Sequence, residues 1–134
     1  MRPAFPLLLA AALVTTGASA RSPQPNPKGE AALAKMLEGR VAGKPVSCIS
    51  TTNSRSSQII DGTAVVYQST GRTIYVNRPK IGADSLDNDD ILVTRIWGAQ
   101  LCNLDQVTLV DRTSRFQHGF VSLGDFVPYT KPKG

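Results

Sequence analysis

The single imidazole of this 134-residue chain, His118, is the first place to look for chemistry, because a ring nitrogen takes and returns protons near neutral pH. A Ser-His-Asp device needs that ring beside a serine and a carboxylate in space. Serines and aspartates are plentiful, yet no G-x-S-x-G elbow marks a nucleophile, and residues 115–119 read as a loop. A solvated His118 without a catalytic role is the expectation, and a small hydrolase using His118 is the alternative. Paired carboxylates for glycoside cleavage fare no better, since Glu30 and Glu38 are the only glutamates and share one N-terminal stretch. Asp61, Asp105, Asp111 and Asp125 stand beside turns or strand ends, where a carboxylate ordinarily caps backbone amides. No catalytic residue is assigned.

Asp84, Asp87, Asp89 and Asp90, with Asn88, crowd carboxylates into one short run. Calcium favours such oxygen-rich loops, but Ile91 occupies the third ligand position counted from Asp87 and no glycine follows, so the EF-hand order is not met. A solvated acidic loop over Asp84 to Asp90 is expected rather than a calcium site. Two cysteines and one histidine exclude a zinc cluster that needs four such ligands. No metal and no cofactor is assigned.

Lys and Arg total 15 against 10 Asp and Glu, a net charge of +5. The basic residues form no single run. Arg72, Arg78, Arg95, Arg112 and Arg115 fall in strand ends and loops, where folding could gather them into a site for phosphate or carboxylate groups, such as those of an anionic envelope polymer. Without interleaved aromatic and basic residues, the pattern does not point to nucleic acid.

These groups need positioning, and the first segment suggests where that happens. Met1-Arg2-Pro3 is a basic start, residues 5–14 are apolar apart from Pro6, and Ala18-Ser19-Ala20 is a small-residue cleavage site. Residues 1–20 read as a signal peptide, which makes the protein periplasmic or secreted. The apolar run is too short to cross a bilayer, so no stable membrane insertion is expected after cleavage. Export to an oxidising compartment makes a Cys48–Cys102 disulfide the expectation, with two buried free thiols as the alternative. No C-x-x-C pair suggests redox catalysis.

Residues 21–29, with prolines at alternate positions, read as an extended tether. Residues 30–38 hold strong helix formers with Leu33 and Leu37 on one face, and Gly39 offers a left-handed cap. Beyond Pro45 the pattern turns extended. Residues 45–50, 57–60, 64–68, 73–77, 91–96, 106–110, 120–123 and 126–129 are rich in β-branched and aromatic residues, with turn chemistry at Asp61-Gly62, Gly71, Gly98 and Gly124-Asp125. Alternation in residues 73–77 sends Ile74 and Val76 to a core face and Thr73, Tyr75 and Asn77 to a semi-polar one. The expected fold is mainly β: a small antiparallel meander in a closed or partly closed barrel, a sandwich second, with one short N-terminal helix. One domain covers residues 30–130, and 131–134 form a tail.

The order Gly43-Lys44-Pro45-Val46-Ser47-Cys48-Ile49, Asp61-Gly62-Thr63, Tyr75-Val76-Asn77, Leu101-Cys102, Asp105-Gln106-Val107, Asp111 and Leu123-Gly124-Asp125-Phe126-Val127-Pro128-Tyr129 resembles a family of small secreted proteobacterial proteins of unknown function. The resemblance covers nearly all of residues 41–130 and implies an exported β-rich domain, with no activity, cofactor or catalytic residue to carry over. Family members have further cysteines where this chain reads Asn77-Arg78-Pro79 and Val121-Ser122-Leu123, which implies a second bridge absent here. The functional expectation is a non-enzymatic exported domain that binds an anionic envelope component. An assembly or inhibitor subunit of an envelope complex is the further alternative.

Overall fold

The computed structural model describes residues 26–133. The segment read as a signal peptide, and residues 21–25 of the tether, lie outside the described residues. Helix α1 spans Pro27–Met36. It begins before Glu30 because Asn26-Pro27 is a helix start: Asn26 Oδ1 accepts from the Lys28 and Gly29 amides, and Pro27 sits where a missing N–H costs nothing. Residues 27–29, read above as tether, are therefore helical. Asn26 Nδ2 also donates to the Asp61 carbonyl at 2.9 Å, which fastens the helix start to a strand turn.

The strands are β1 (Val41–Ala42), β2 (Cys48–Ser50), β3 (Ser54–Ile60), β4 (Ala64–Ser69), β5 (Thr73–Asn77), β6 (Asp90–Thr94), β7 (Gln100–Cys102), β8 (Gln106–Asp111), β9 (Gln117–Ser122) and β10 (Phe126–Thr130). A five-stranded sheet has the order β1-β10-β5-β4-β3, a three-stranded one β6-β8-β9, and a two-stranded one β2-β7, all antiparallel. The meander holds for β3-β4-β5, but β10 rather than a sequence neighbour lies beside β5.

None of these sheets closes into a barrel, and the arrangement is sandwich-like. Stacking already buries the apolar surface that closure would bury. Ile49, Val65, Tyr67, Leu109, Leu123 and Phe126 belong to one core between layers, and the Tyr67 and Phe126 rings meet edge to face at 5.7 Å. Burial pushes the Tyr67 phenol above its ordinary pKa. What remains along β3 is polar: Arg55, Ser56, Ser57 and Gln58 are all exposed, and no apolar stripe is left to pull β3 against β6.

The semi-polar face expected for β5 is corrected as well. Ile74 and Val76 join Leu33, Ile60, Ala64 and Val66 in a second core under α1. On the opposite face Tyr75 packs against the larger core, and Asn77 is fully buried because the second layer covers it. Its amide is satisfied twice, donating to the Gly124 carbonyl at 2.7 Å and accepting from the Gly124 N–H at 2.9 Å.

Cys48 and Cys102 stand directly opposite in the β2-β7 pair and are disulfide-bonded, with Cα atoms 4.0 Å apart. Among the described residues no helix is long and apolar enough to cross a membrane. Trp97, in the loop after β6, is 97% exposed.

The bridge closes a sequence separation of 54, and the chain-entropy treatment assigns such a loop about 4 kcal/mol. The Cys48→Ser/Cys102→Ser variant should lose stability up to that size, read from urea midpoints, and added reductant should leave the variant's midpoint unmoved. A Cβ on Gly124 would lie 2.4 Å from the Arg78 carbonyl oxygen, a backbone atom that cannot step aside. Gly124→Ala should cost about 1–3 kcal/mol in the same measurement.

Candidate functional site

Two sheets end on open strands, β3 and β6, that are not hydrogen-bonded to each other. Between them, and under the first turn of α1, lies a cleft of about 740 Å³ whose polar lining comes from Lys28, Gln58, Asp61, Asn88, Asp90 and Arg112. A smaller space of about 230 Å³ lies beyond it, lined by Ser54, Arg55 and Ser57 of β3, by Thr94 and Ile96 at and after the end of β6, and by Ile49 and Leu101 of the β2-β7 pair.

Asn88 and Asp90 of the acidic run line the larger cleft beside Asp61, and the carboxylates Asp61, Asp87, Asp89 and Asp90 meet different partners. Asp61, in the β3-β4 turn, accepts from the Asn88 N–H at 2.6 Å and from Asn88 Nδ2 at 3.2 Å. The Gly62 N–H donates to the Leu86 carbonyl at 2.9 Å, and the Leu86 side chain is buried. Asp87 accepts from the Asp89 N–H, a turn contact within the loop, and Asp89 lies 3.7 Å from Arg112 with both side chains exposed. Among the described residues no three His, Cys, Asp or Glu side chains converge as a metal ion would need.

Asp90 is different. Its side chain is only 3% exposed, and Oδ1 meets His118 Nε2 at 2.8 Å. The contact reaches across β8, since Asp90 lies opposite Asp111 on one side of that strand and β9 flanks the other. It depends on a bulge. The β8-β9 register passes from Leu109 opposite Gly119 to Val110 opposite Gln117, so His118 is the extra residue, and a bulge re-aims such a side chain. His118 is thus a strand residue, not the loop residue its sequence neighbours suggested, and its ring is 40% exposed. Asp90 Oδ2 is buried and has no hydrogen-bond partner.

The geometry supplies His118 with a carboxylate but no serine hydroxyl: among the described side-chain hydrogen bonds, Asp90 is its partner. Nearby Asp111 is held below the usual carboxylate range mainly by hydrogen bonds from Ser114, with Thr113 and His118 adding to them.

The five arginines singled out by sequence are not brought together. Arg72 precedes β5 and Arg78 follows it, which puts them at opposite ends of one strand. Arg95 follows β6 and Arg112 follows β8, again at opposite ends of an antiparallel pair. Arg78 makes a bidentate pair with Glu30 at 2.5 and 3.0 Å, and that hydrogen bonding holds the Glu30 carboxyl below its ordinary pKa. Arg115 lies in the β8-β9 turn with a left-handed φ of 64°. Arg112 is the one of the five that lines the larger cleft. Lys28, Asp61 and Asp90 as one constellation escaped sequence reading, because their proximity comes from α1, a hairpin turn and a sheet edge meeting in space. No protein-family model matches the chain, and the comparisons with curated proteins and with solved structures found no match.

Removing the His118 ring leaves both oxygens of a buried carboxylate without a donor. His118→Ala should cost about 1–3 kcal/mol in denaturant unfolding, and Asp90→Asn in the same background should recover part of that loss, a coupling a double-mutant cycle measures.

Proposed function

We propose that the protein is an exported, non-enzymatic binding domain that takes a component of the cell envelope into the cleft between β3 and β6. The cleft carries this reading, because cations, carboxylates and amides from α1, the β3-β4 turn, the acidic loop and the β8-β9 turn line one concave surface. Export is supported by the Ala18-Ser19-Ala20 pattern and by the disulfide, which persists in oxidising compartments. A structural role for His118 is supported by its hydrogen bond to the buried Asp90 carboxylate.

The charges in the cleft are mixed, Lys28 and Arg112 against Asp61 and Asp90. The net charge of +5 draws anionic polymers toward the whole surface, while the cleft selects by shape and hydrogen bonding. A small hydrolase remains the second reading, favoured by the Asp90–His118 pair, whose ring is open enough to reach a reactant.

Amide-shift mapping of isotope-labelled protein, titrated with peptidoglycan fragments, lipopolysaccharide and acidic glycans, tests the site. Changes should gather at Lys28, Gln58, Asp61, Asn88 and Arg112, with affinity falling about tenfold in Arg112→Gln and in high salt. Changes confined to Arg72 and Arg95 would move the site to other loops, and silence with all three would remove an anionic polymer as the ligand.

A further inference from the structure

Two open strand edges facing one groove are an unusual thing to leave unprotected. Among the described residues β3 pairs only with β4 and β6 only with β8, so each presents a free row of backbone donors and acceptors. Edges are ordinarily blunted by proline, lysine or a covering segment. Neither β3 nor β6 contains a proline or a lysine, and Ile91 to Thr94 carry no charge; β3 has Arg55 and a register shift at Ser54/Ser56 near its start, which leaves residues 57–60 as its unblunted part. The two spaces between the strands lie end to end. Residues 57–60 face 90–92 across the larger one, and 54–57 face Thr94 and Ile96 across the smaller. The groove therefore follows both strands over most of their length, with β3 and β6 running in opposite directions.

At the wide end stands an orphan acceptor. Asp90 lies opposite Asp111, two residues before the Leu92–Leu109 pair, which places its side chain on the core-facing side of β6 where the core gives way to the cleft. His118 occupies Oδ1, and Oδ2 has nothing. A buried carboxylate oxygen without a donor is a place for a cation. No Phe, Tyr or Trp lines this end, so a sugar ring would find no aromatic face to stack on.

We propose that the groove accepts one extended polypeptide segment as an added strand between β3 and β6, with a Lys or Arg side chain of that segment directed at Asp90. The segment runs antiparallel to one edge and parallel to the other, and main-chain hydrogen bonds supply its affinity while the Asp90 end supplies its selectivity. This rests on the cleft being the binding surface and departs from the anionic polymers considered above by assigning it a cationic polypeptide segment.

The experiment selects random peptides of about nine residues, long enough for one strand, displayed on phage against the full chain, and synthesises the enriched sequences. They should share a Lys or Arg within alternating β-branched residues, and should shift the amides of residues 57–60 and 90–92. Affinity should fall about tenfold when Asp90 is changed to Asn, and equally when alternate peptide nitrogens are methylated, a change that leaves the protein untouched and so needs no folding control. No enrichment, or affinity indifferent to methylation, overturns the proposal. Sedimentation showing a dimer whose contact maps to β3 also overturns it, because a second copy would then fill the groove. If glycans or lipopolysaccharide shift the cleft amides while no peptide does, the peptide class fails and the binding reading stands; if neither does, both fail.

Discussion

The middle of the five-stranded sheet has to be covered on both faces, and most other features follow from that requirement. Ala64, Val65, Val66 and Tyr67 are consecutive and all buried, which an antiparallel strand with one wet face would not permit. Ala64 and Val66 lie under α1, while Val65 and Tyr67 lie under the second layer. The helix is thus a structural layer, and its tight seat requires Gly29, where a Cβ would fall 1.8 Å from Thr63 Oγ1. Covering both faces also buries Asn77, and the paired hydrogen bonds to Gly124 keep that amide from being a defect.

The second layer is held to the first by the chain's crossings rather than by continuous pairing. Val46 bridges to Phe126, and Ile81 bridges to Ser122, so single backbone contacts join the edges on one side. The β2-β7 pair, three residues per strand, has too little length to be stable as a ladder, and its covalent tie at Cys48–Cys102 fixes a register that hydrogen bonds alone would hold weakly. On the opposite side the Gly62 N–H to Leu86 carbonyl contact ties the β3-β4 turn to the acidic loop at one end, but no ladder joins β3 to β6 along their length, so the cleft opens there.

Strands with a strong apolar pattern were legible in the sequence. Residues 73–77 are β5 in full, and each of the other seven segments read as extended overlaps a strand. β1 and β7 were not read, because two or three residues carry no period and are held by their partners. The start of α1 was misplaced because Asn26-Pro27 closes a Pro-rich stretch and also begins a helix, two readings that only packing against Asp61 separates. The second face of β5 was unreadable for a similar reason: alternation says which residues share a side, and only the tertiary fold says whether that side is dry. The candidate site was the least visible part. Asp90 looked like the end of a solvated acidic run, and His118 like a loop residue, until a bulge and a three-strand register brought them within 2.8 Å.

The lone indole has an optical consequence. Trp97 stands almost wholly in water in the folded chain, so its emission is already that of a solvated ring and changes little when the protein unfolds. Tyr67, held against Phe126 in an asymmetric, dry environment, should instead contribute native near-ultraviolet ellipticity, alongside the half-buried Tyr75 and Tyr129 and the disulfide. Tryptophan fluorescence would make this protein look featureless, while tyrosine ellipticity would reveal its rigidity.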